Sequence, residues 1–403
     1  MNLISKFLLG YLVAHILLIS VVESFICFDL KMIQLGLILL ILGIAFFRPK
    51  NIILDKSDII VCFLLIFLNI FYILLDSRGL IFYKMTFVLS LAVLLSKVIL
   101  PNISLKRYLR KIGTIYLIIL IGLVIEYLIL LVFGEAILKY LFMCNGEITG
   151  IRGYIPIYNL TKELLPFHIT GLNSIMMGSQ TASQLSIIIS IWFLYKYRDS
   201  ENRKHLGLGL LAIIMLILSP TLTSAVLLLI ALATIYLIYL KGFLYRPIKS
   251  FFWVYIVLFV TFISIYLIQG LITYRYVSLD NIYGEYVLPN LIGFGYFNLK
   301  EILFGISIER QLELFEFGEI AFLNQLMKYG FLGVGVFYIS IFYYVLRAIR
   351  LNSEGALTAN VVILFIFILG NFHYPVMFNS GLINLFILHL AYIIYHGSYI
   401  KNK

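Results

Sequence analysis

The sequence predicts an all-α, polytopic integral membrane protein of about twelve transmembrane helices, and three observations lead there. First, the 403 residues are 63% apolar and only 12% charged, with a mean hydropathy of +1.06. A soluble domain is about half apolar and about a quarter charged. Second, the apolar residues fall in runs of about 15–25, long enough for membrane helices and unlike the alternating strands of a β-barrel. Third, the hydrophilic gaps between runs alternate in their Lys and Arg content.

The first run, Phe7–Cys27, is too long for the core of a cleaved signal and is followed by no small-residue cleavage site, so it reads as a membrane helix. Met32–Phe47, Ile59–Leu75, Leu80–Leu100, Ile112–Phe133 and Thr181–Tyr195 follow. The second half holds Leu206–Leu218, Thr221–Leu240, Phe251–Ile272, Ile320–Leu346, Leu357–Phe372 and Leu382–Tyr395. The seventh and eighth runs are split only by Ser219-Pro220, and Ile320–Leu346 is long enough to tilt or to begin as an interfacial turn.

Charge gives the runs a direction. One set of alternate gaps carries nineteen Lys and Arg, the opposite set eight, and Lys84, Lys97 and Lys328 lie within runs. Five acids fall on the basic side and twelve opposite, which leaves the two sides at about +14 and −4. Both termini belong to the basic side, an N-in/C-in arrangement. The net charge of +11 is therefore an inside-positive pattern and not a nucleic-acid surface, and no nucleic-acid partner is expected. Cys27, Cys62 and Cys144 form neither a paired framework nor a metal-binding spacing. No GxxxxGK[ST] motif and no acidic metal cluster occurs in the sequence, so neither a nucleotide motor nor a cofactor is implied.

Two long hydrophilic segments, Gly134–Gln180 and Thr273–Glu319, both belong to the outer side. Loops of that length are usually functional. Their Gly, Tyr, Phe and Leu content predicts short helices folded onto the bilayer surface. The chain thus reads as a single transmembrane domain, residues 1–403, with outer loops 134–180 and 273–319.

The tenth run opens with Glu319-Ile-Ala-Phe322-Leu323-Asn324-Gln325-Leu326-Met-Lys328-Tyr-Gly330-Phe-Leu-Gly333. In this stretch the chain resembles the lipid-linked O-antigen polymerase and ligase family, which includes the Wzy-type polymerases. The family commonly carries a polar residue, often His-Asn, then an aromatic and Leu, a further Leu and two Gly at this spacing. Here Glu319-Ile stands in place of His-Asn. Gly171-Leu172-Asn173 after the first long loop, and Ile302-Leu-Phe-Gly305-Ile late in the second, also resemble the family. Ser219-Pro-Thr221-Leu-Thr223-Ser224 matches its Thr/Ser-rich turn, although Ala225 stands where an Arg often follows.

The resemblance implies an enzyme that joins glycan repeat units carried on undecaprenyl diphosphate, at the periplasmic face of the bacterial inner membrane. A sugar hydroxyl attacks the anomeric carbon and the lipid diphosphate leaves. A metal-independent inverting glycosyltransferase of this kind needs a general base for the hydroxyl and cations for the departing diphosphate. Arg suits phosphate oxygens because its planar fork donates two hydrogen bonds. The outer side has few cations. Arg152 sits between glycines that let the backbone approach a ligand, Arg275 directly follows the ninth run, and Arg310 lies nine residues before Glu319. Glu319 is the candidate base, although the dipole of a helix N-terminus favours an acid there without any catalysis. His168 is a second candidate base or phosphate contact, and His373, beside Pro375 at the outer end of the eleventh run, is a substrate candidate or an interfacial aromatic. Lys328 lies nine residues into its run and is a further substrate contact.

Glu126 and Lys84 are the deepest ionisable residues and could pair, whereas Glu23 and Lys97 are close enough to run ends to reach the headgroups. Gly330, Gly333 and Gly335 read as sites of close helix packing. Outer tyrosines fit either sugar stacking or an interfacial belt. Expected partners are undecaprenyl-diphosphate-linked oligosaccharide, membrane lipid and a protein that sets chain length. The alternatives are an O-antigen ligase, which favours the His absent at Glu319, and a lipid-linked oligosaccharide flippase. A membrane acyltransferase would need a buried His in polar company, which His15 and His389 lack in the sequence.

Overall fold

The computed structural model describes residues 55–76, 79–102, 104–141, 178–219, 303–305, 321–351, 355–373 and 382–399, with isolated helical positions between 227 and 261. Among the described residues every regular element is a helix and no strand occurs. The eight main helices are α1 (Lys56–Asp76), α2 (Gly79–Leu94), α3 (Leu105–Leu141), α4 (Gly178–Ser200), α5 (Arg203–Leu218), α6 (Ala321–Leu351), α7 (Gly355–His373) and α8 (Leu382–Tyr399). Each contains or closely follows one apolar run of the sequence. The runs Phe7–Cys27 and Met32–Phe47 lie outside the described residues, as do most of Thr221–Leu240 and Phe251–Ile272.

Local chemistry sets the helix ends. At the start of α1 the Asp55 N–H donates to Asp58 Oδ2 at 3.0 Å, while Asp58 and Ile59 donate their own N–H groups to the Asp55 carbonyl. This reach-back of the third helical side chain fixes the first turn. Asn202 caps α5 by accepting from the Lys204 N–H at 3.0 Å. That helix stops at Leu218, where the Ser219 N–H closes onto Met215 and Leu216 ahead of Pro220. The seventh run therefore ends where its helix does, at Leu218. α2 ends differently, widening into a π turn over Leu95–Ile99 and then a 3₁₀ turn over Leu100–Asn102. Such widened turns often mark functional or strained positions, and this one carries Lys97.

Packing inverts the pattern of a soluble protein. α7 and α8 are buried almost throughout, and with α2 and α6 they form the centre of the apolar core. A helix that is apolar all round belongs inside a bundle or a membrane. On α3, Ile118, Ile121, Ile125, Leu128 and Val132 form an exposed aliphatic stripe at helical spacing, while Glu126 is only 3% exposed. α1 shows the same reversal, with Phe63 and Leu74 exposed and Asp58 fully buried. Leu105–Val132 and Lys328–Leu351 are long and apolar enough to cross a membrane, with mean hydropathies of 2.9 and 1.7.

Candidate functional site

The stretch Phe322–Gly333 forms a helix that breaks. Gly330 has φ 62° and ψ −179° inside α6, a left-handed φ that side chains disfavour. In a straight helix Gln325 and Tyr338 would lie about 20 Å apart, yet the Tyr338 hydroxyl reaches Gln325 Oε1 at 3.3 Å. The rings of Phe322 and Tyr338 are likewise 6.2 Å apart. The short arm Ala321–Tyr329 is therefore turned back against the long arm that follows it. The run, expected either to tilt or to begin as an interfacial turn, is instead a helix broken at Gly330.

Two neighbours hold the break. The Tyr72 hydroxyl of α1 donates to the carbonyl of Tyr329, the residue just before the break. The backbone of Leu303-Phe304 packs directly on Gly330, so a Cβ there would collide with the Leu303 carbonyl. The Phe304 ring packs tilted against Phe71 with centroids 4.5 Å apart, and Gly305 has φ 84°. The backbones of Leu303-Phe304 and of Gly330 thus meet directly. Gly333 is buried, but Gly335 faces open space and is not a packing glycine.

Around the break lies a polar cluster built from three helix ends. The Asn371 Nδ2 group, in the last turn of α7, donates to the Tyr338 hydroxyl at 3.1 Å, and that hydroxyl passes the chain on to Gln325. Gln184, in the second turn of α4, makes one long bond through Nε2 to the Gly370 carbonyl at 3.5 Å. Gly370 leaves room for it, since a Cβ there would overlap Gln184 Oε1. Thr181 lies one turn earlier on the same face of α4. Thr181 Oγ1, Gln184 Oε1 and Asn371 Oδ1 are all buried and all without a hydrogen-bond partner. Each such atom costs about 1–3 kcal/mol, so three at one end of a bundle need an explanation.

Of the residues singled out in the sequence, Lys328 is half-buried on the short arm, one turn beyond Gln325. His373 ends α7, two residues past Asn371, and its side chain lies outside the described residues. Glu319, His168, Arg152, Arg275 and Arg310 lie outside the described residues as well. Thr181, Gln184 and Asn371 are neutral, so a search for ionisable groups within apolar runs does not find them. Neutral polar side chains in an apolar run were the available signal.

Two further polar clusters, around His389 and around Asp58, are closed. His389 is fully buried, and contrary to the sequence reading it has polar company. Its Nε2 pairs with the Tyr116 hydroxyl at 2.5 Å and its Nδ1 with Asn360 Oδ1 at 2.6 Å. Asn360 donates its Nδ2 to the Ala356 carbonyl, which fixes Oδ1 as an acceptor and puts the ring proton on Nδ1. Nε2 then accepts from Tyr116, and no ring atom is left for a substrate. Lys97 also departs from expectation. It turns inward at 7% exposure and pairs with Asp58 at 2.8 Å and Asp55 at 3.5 Å instead of reaching outward. Arg347 binds Asp55 at 2.5 Å and Ser57 Oγ at 2.7 Å, and the Tyr344 hydroxyl donates to Asp58 at 3.1 Å. Burial alone would raise the Asp55 carboxyl, but the Arg347 hydrogen bond and the Lys97 and Arg347 charges outweigh it and hold it below 3.8. Glu126 is buried, whereas the Lys84 side chain lies outside the described residues.

Comparison with family models, with curated proteins and with solved structures gives no match to this chain.

Proposed function

We propose that this chain is a Wzy-type polymerase of undecaprenyl-diphosphate-linked oligosaccharide repeat units, embedded in the bacterial inner membrane by about twelve spans with both termini inside. The exposed aliphatic stripes and buried polar side chains suit a bilayer and not water. In this arrangement the Arg347 end of α6 faces the cytoplasm and the Gly330 end faces the periplasm. Asp55, Lys56, Arg347 and Arg350, assigned to one side by charge alternation, line a common cavity, which fits that orientation.

The single observation that carries the functional reading is the cluster at the Gly330 end. Within the motif-bearing stretch, a broken helix borders three buried atoms with unmet hydrogen-bonding capacity. Two are amide carbonyls, which accept from hydroxyls, and sugars supply hydroxyls in quantity. In the proposed reaction Glu319 takes the proton of an acceptor-sugar hydroxyl as that oxygen bonds to the anomeric carbon of the donor. The bond from that carbon to the diphosphate oxygen breaks, and the lipid diphosphate departs with the electron pair. Arg152 and Arg275 stabilise the charge that develops on it, with Arg310, Lys328, His168 and His373 as further contacts.

Gene deletion tests the reading. A polymerase mutant displays surface glycan bearing single repeat units. Loss of all surface glycan, with repeat units held on the carrier inside, would replace the proposal with a flippase. A normal ladder of free polymer that is not transferred to its acceptor would replace it with a ligase.

A further inference from the structure

At the opposite end of α6 from Gly330, the first turn of α1 and the last turns of α6 line an open cavity of about 680 Å³. Its walls include Asp55, Lys56, Ser57, Tyr343, Arg347 and Arg350. The charges do not cancel. Asp55 and Asp58 are matched by Lys97 and Arg347, each within a direct ion pair. Lys56 and Arg350 are left over, both exposed, and neither has an acidic partner among the described residues. The cavity therefore carries an excess of two positive charges around an already neutral floor.

Beyond the cations the surface turns apolar. One turn and more along α1 from Lys56 lie Ile60, Phe63 and Phe67, each more than half exposed, and one turn back from Tyr343 on α6 lies Ile339 at 69%. The cavity thus presents a cationic pocket at the helix ends and an exposed hydrocarbon surface leading away from it. A free phosphate would use only the pocket. An anionic amphiphile uses both.

We propose that this cavity is a binding site for an anionic phospholipid, with its phosphodiester between Lys56, Arg347 and Arg350 and its acyl chains along the exposed faces of α1 and α6. Basic pockets between membrane helices at the cytoplasmic surface suit such headgroups. Ser57 Oγ accepts from Arg347 and keeps its own proton to donate to a phosphate oxygen. The site rests on the membrane reading alone and is independent of the polymerase chemistry, because its readout is lipid binding.

The full-length protein, purified in neutral detergent, would be titrated with phosphatidylglycerol, with phosphatidylcholine and with inorganic phosphate, following its melting temperature and bound lipid by native mass spectrometry. Phosphatidylglycerol is expected to bind and raise the melting temperature, and phosphatidylcholine to do neither. The double substitution Lys56→Gln/Arg350→Gln should weaken phosphatidylglycerol binding about 30-fold, about fivefold for each surface cation. Both side chains are exposed, so the fold should survive. The control Arg110→Gln/Lys204→Gln removes two other exposed cations and should leave binding unchanged. Equal binding of both lipids, unaltered binding by the Lys56/Arg350 double variant, or equal loss in the control would overturn the proposal. Stabilisation by inorganic phosphate equal to that by the lipid would assign the pocket to a soluble anion instead.

Discussion

The two ends of α6 use polar side chains in opposite ways. At the Arg347 end, two carboxylates, a lysine, an arginine, a serine and a tyrosine satisfy one another through short, direct bonds. At the Gly330 end, Thr181, Gln184 and Asn371 are more deeply buried than Asp55 or Arg347, yet each keeps one atom unmet. Burial costs both clusters, but only the first recovers the cost inside the fold. The contrast marks the Gly330 end as a place to look for function, because three neutral polar side chains on the facing helices α4 and α7 each keep an atom unmet there.

If that division is correct, damage at the closed end should appear as lost stability. Asp58→Ala strands Lys97 at 7% exposure without its nearest carboxylate, and should cost about 3–5 kcal/mol. Thermal unfolding in detergent measures it. The double variant Asp58→Ala/Lys97→Met should recover most of the loss, since it removes both charges, and failure to recover would show that Lys97 does not depend on Asp58.

Gly330→Ala lies between the two categories. It forces a side chain into a left-handed backbone and against the Leu303 carbonyl, at about 1–3 kcal/mol for the strained backbone. Because the break shapes the polar cluster, activity per folded molecule should fall as well. A Gly330→Ala protein with wild-type melting temperature and wild-type glycan would mean that the break has no role.

At the open end the stability prediction reverses. Gln184→Leu gives up one long hydrogen bond and removes an unpaired carbonyl, so the melting temperature should stay constant or rise by an amount equivalent to about 1 kcal/mol. A large drop would show that Gln184 has partners that this account lacks.

The smallest effect concerns acid. Asp55 is held below its ordinary value of 3.8, chiefly against burial, by Arg347 and Lys97. Its contribution to stability is complete above that value and is lost as pH falls through its lower folded value. Melting temperatures followed between about pH 5 and pH 2 should therefore fall less steeply in Arg347→Gln than in the wild type. Identical slopes would remove Arg347 as the cause.

Much of the fold was legible in the sequence because apolar run length is a local property. The run Ile59–Leu75 became Lys56–Asp76, and Leu382–Tyr395 became Leu382–Tyr399. The grouping of Asp55 with Arg347 was also legible, since it follows from charge alternation along the chain. What could not be read was every feature that depends on which helices touch. Lys97 sits near a run end and looked free to reach outward, but the π turn and two carboxylates on α1 draw it in. His389 looked isolated because Tyr116 and Asn360 lie 273 and 29 residues away. Gly330 was visible as a glycine, but the backbone of Leu303 that makes it necessary was not.

The most direct test of the contrast is activity and folding measured together on Gln184→Leu, expressed in a deletion strain at wild-type level. Surface glycan reduced to single repeat units, with the melting temperature of the purified variant unchanged or raised, is the predicted result. A wild-type ladder of chain lengths from that variant would contradict the account, because the unmet carbonyl would then have no substrate to meet.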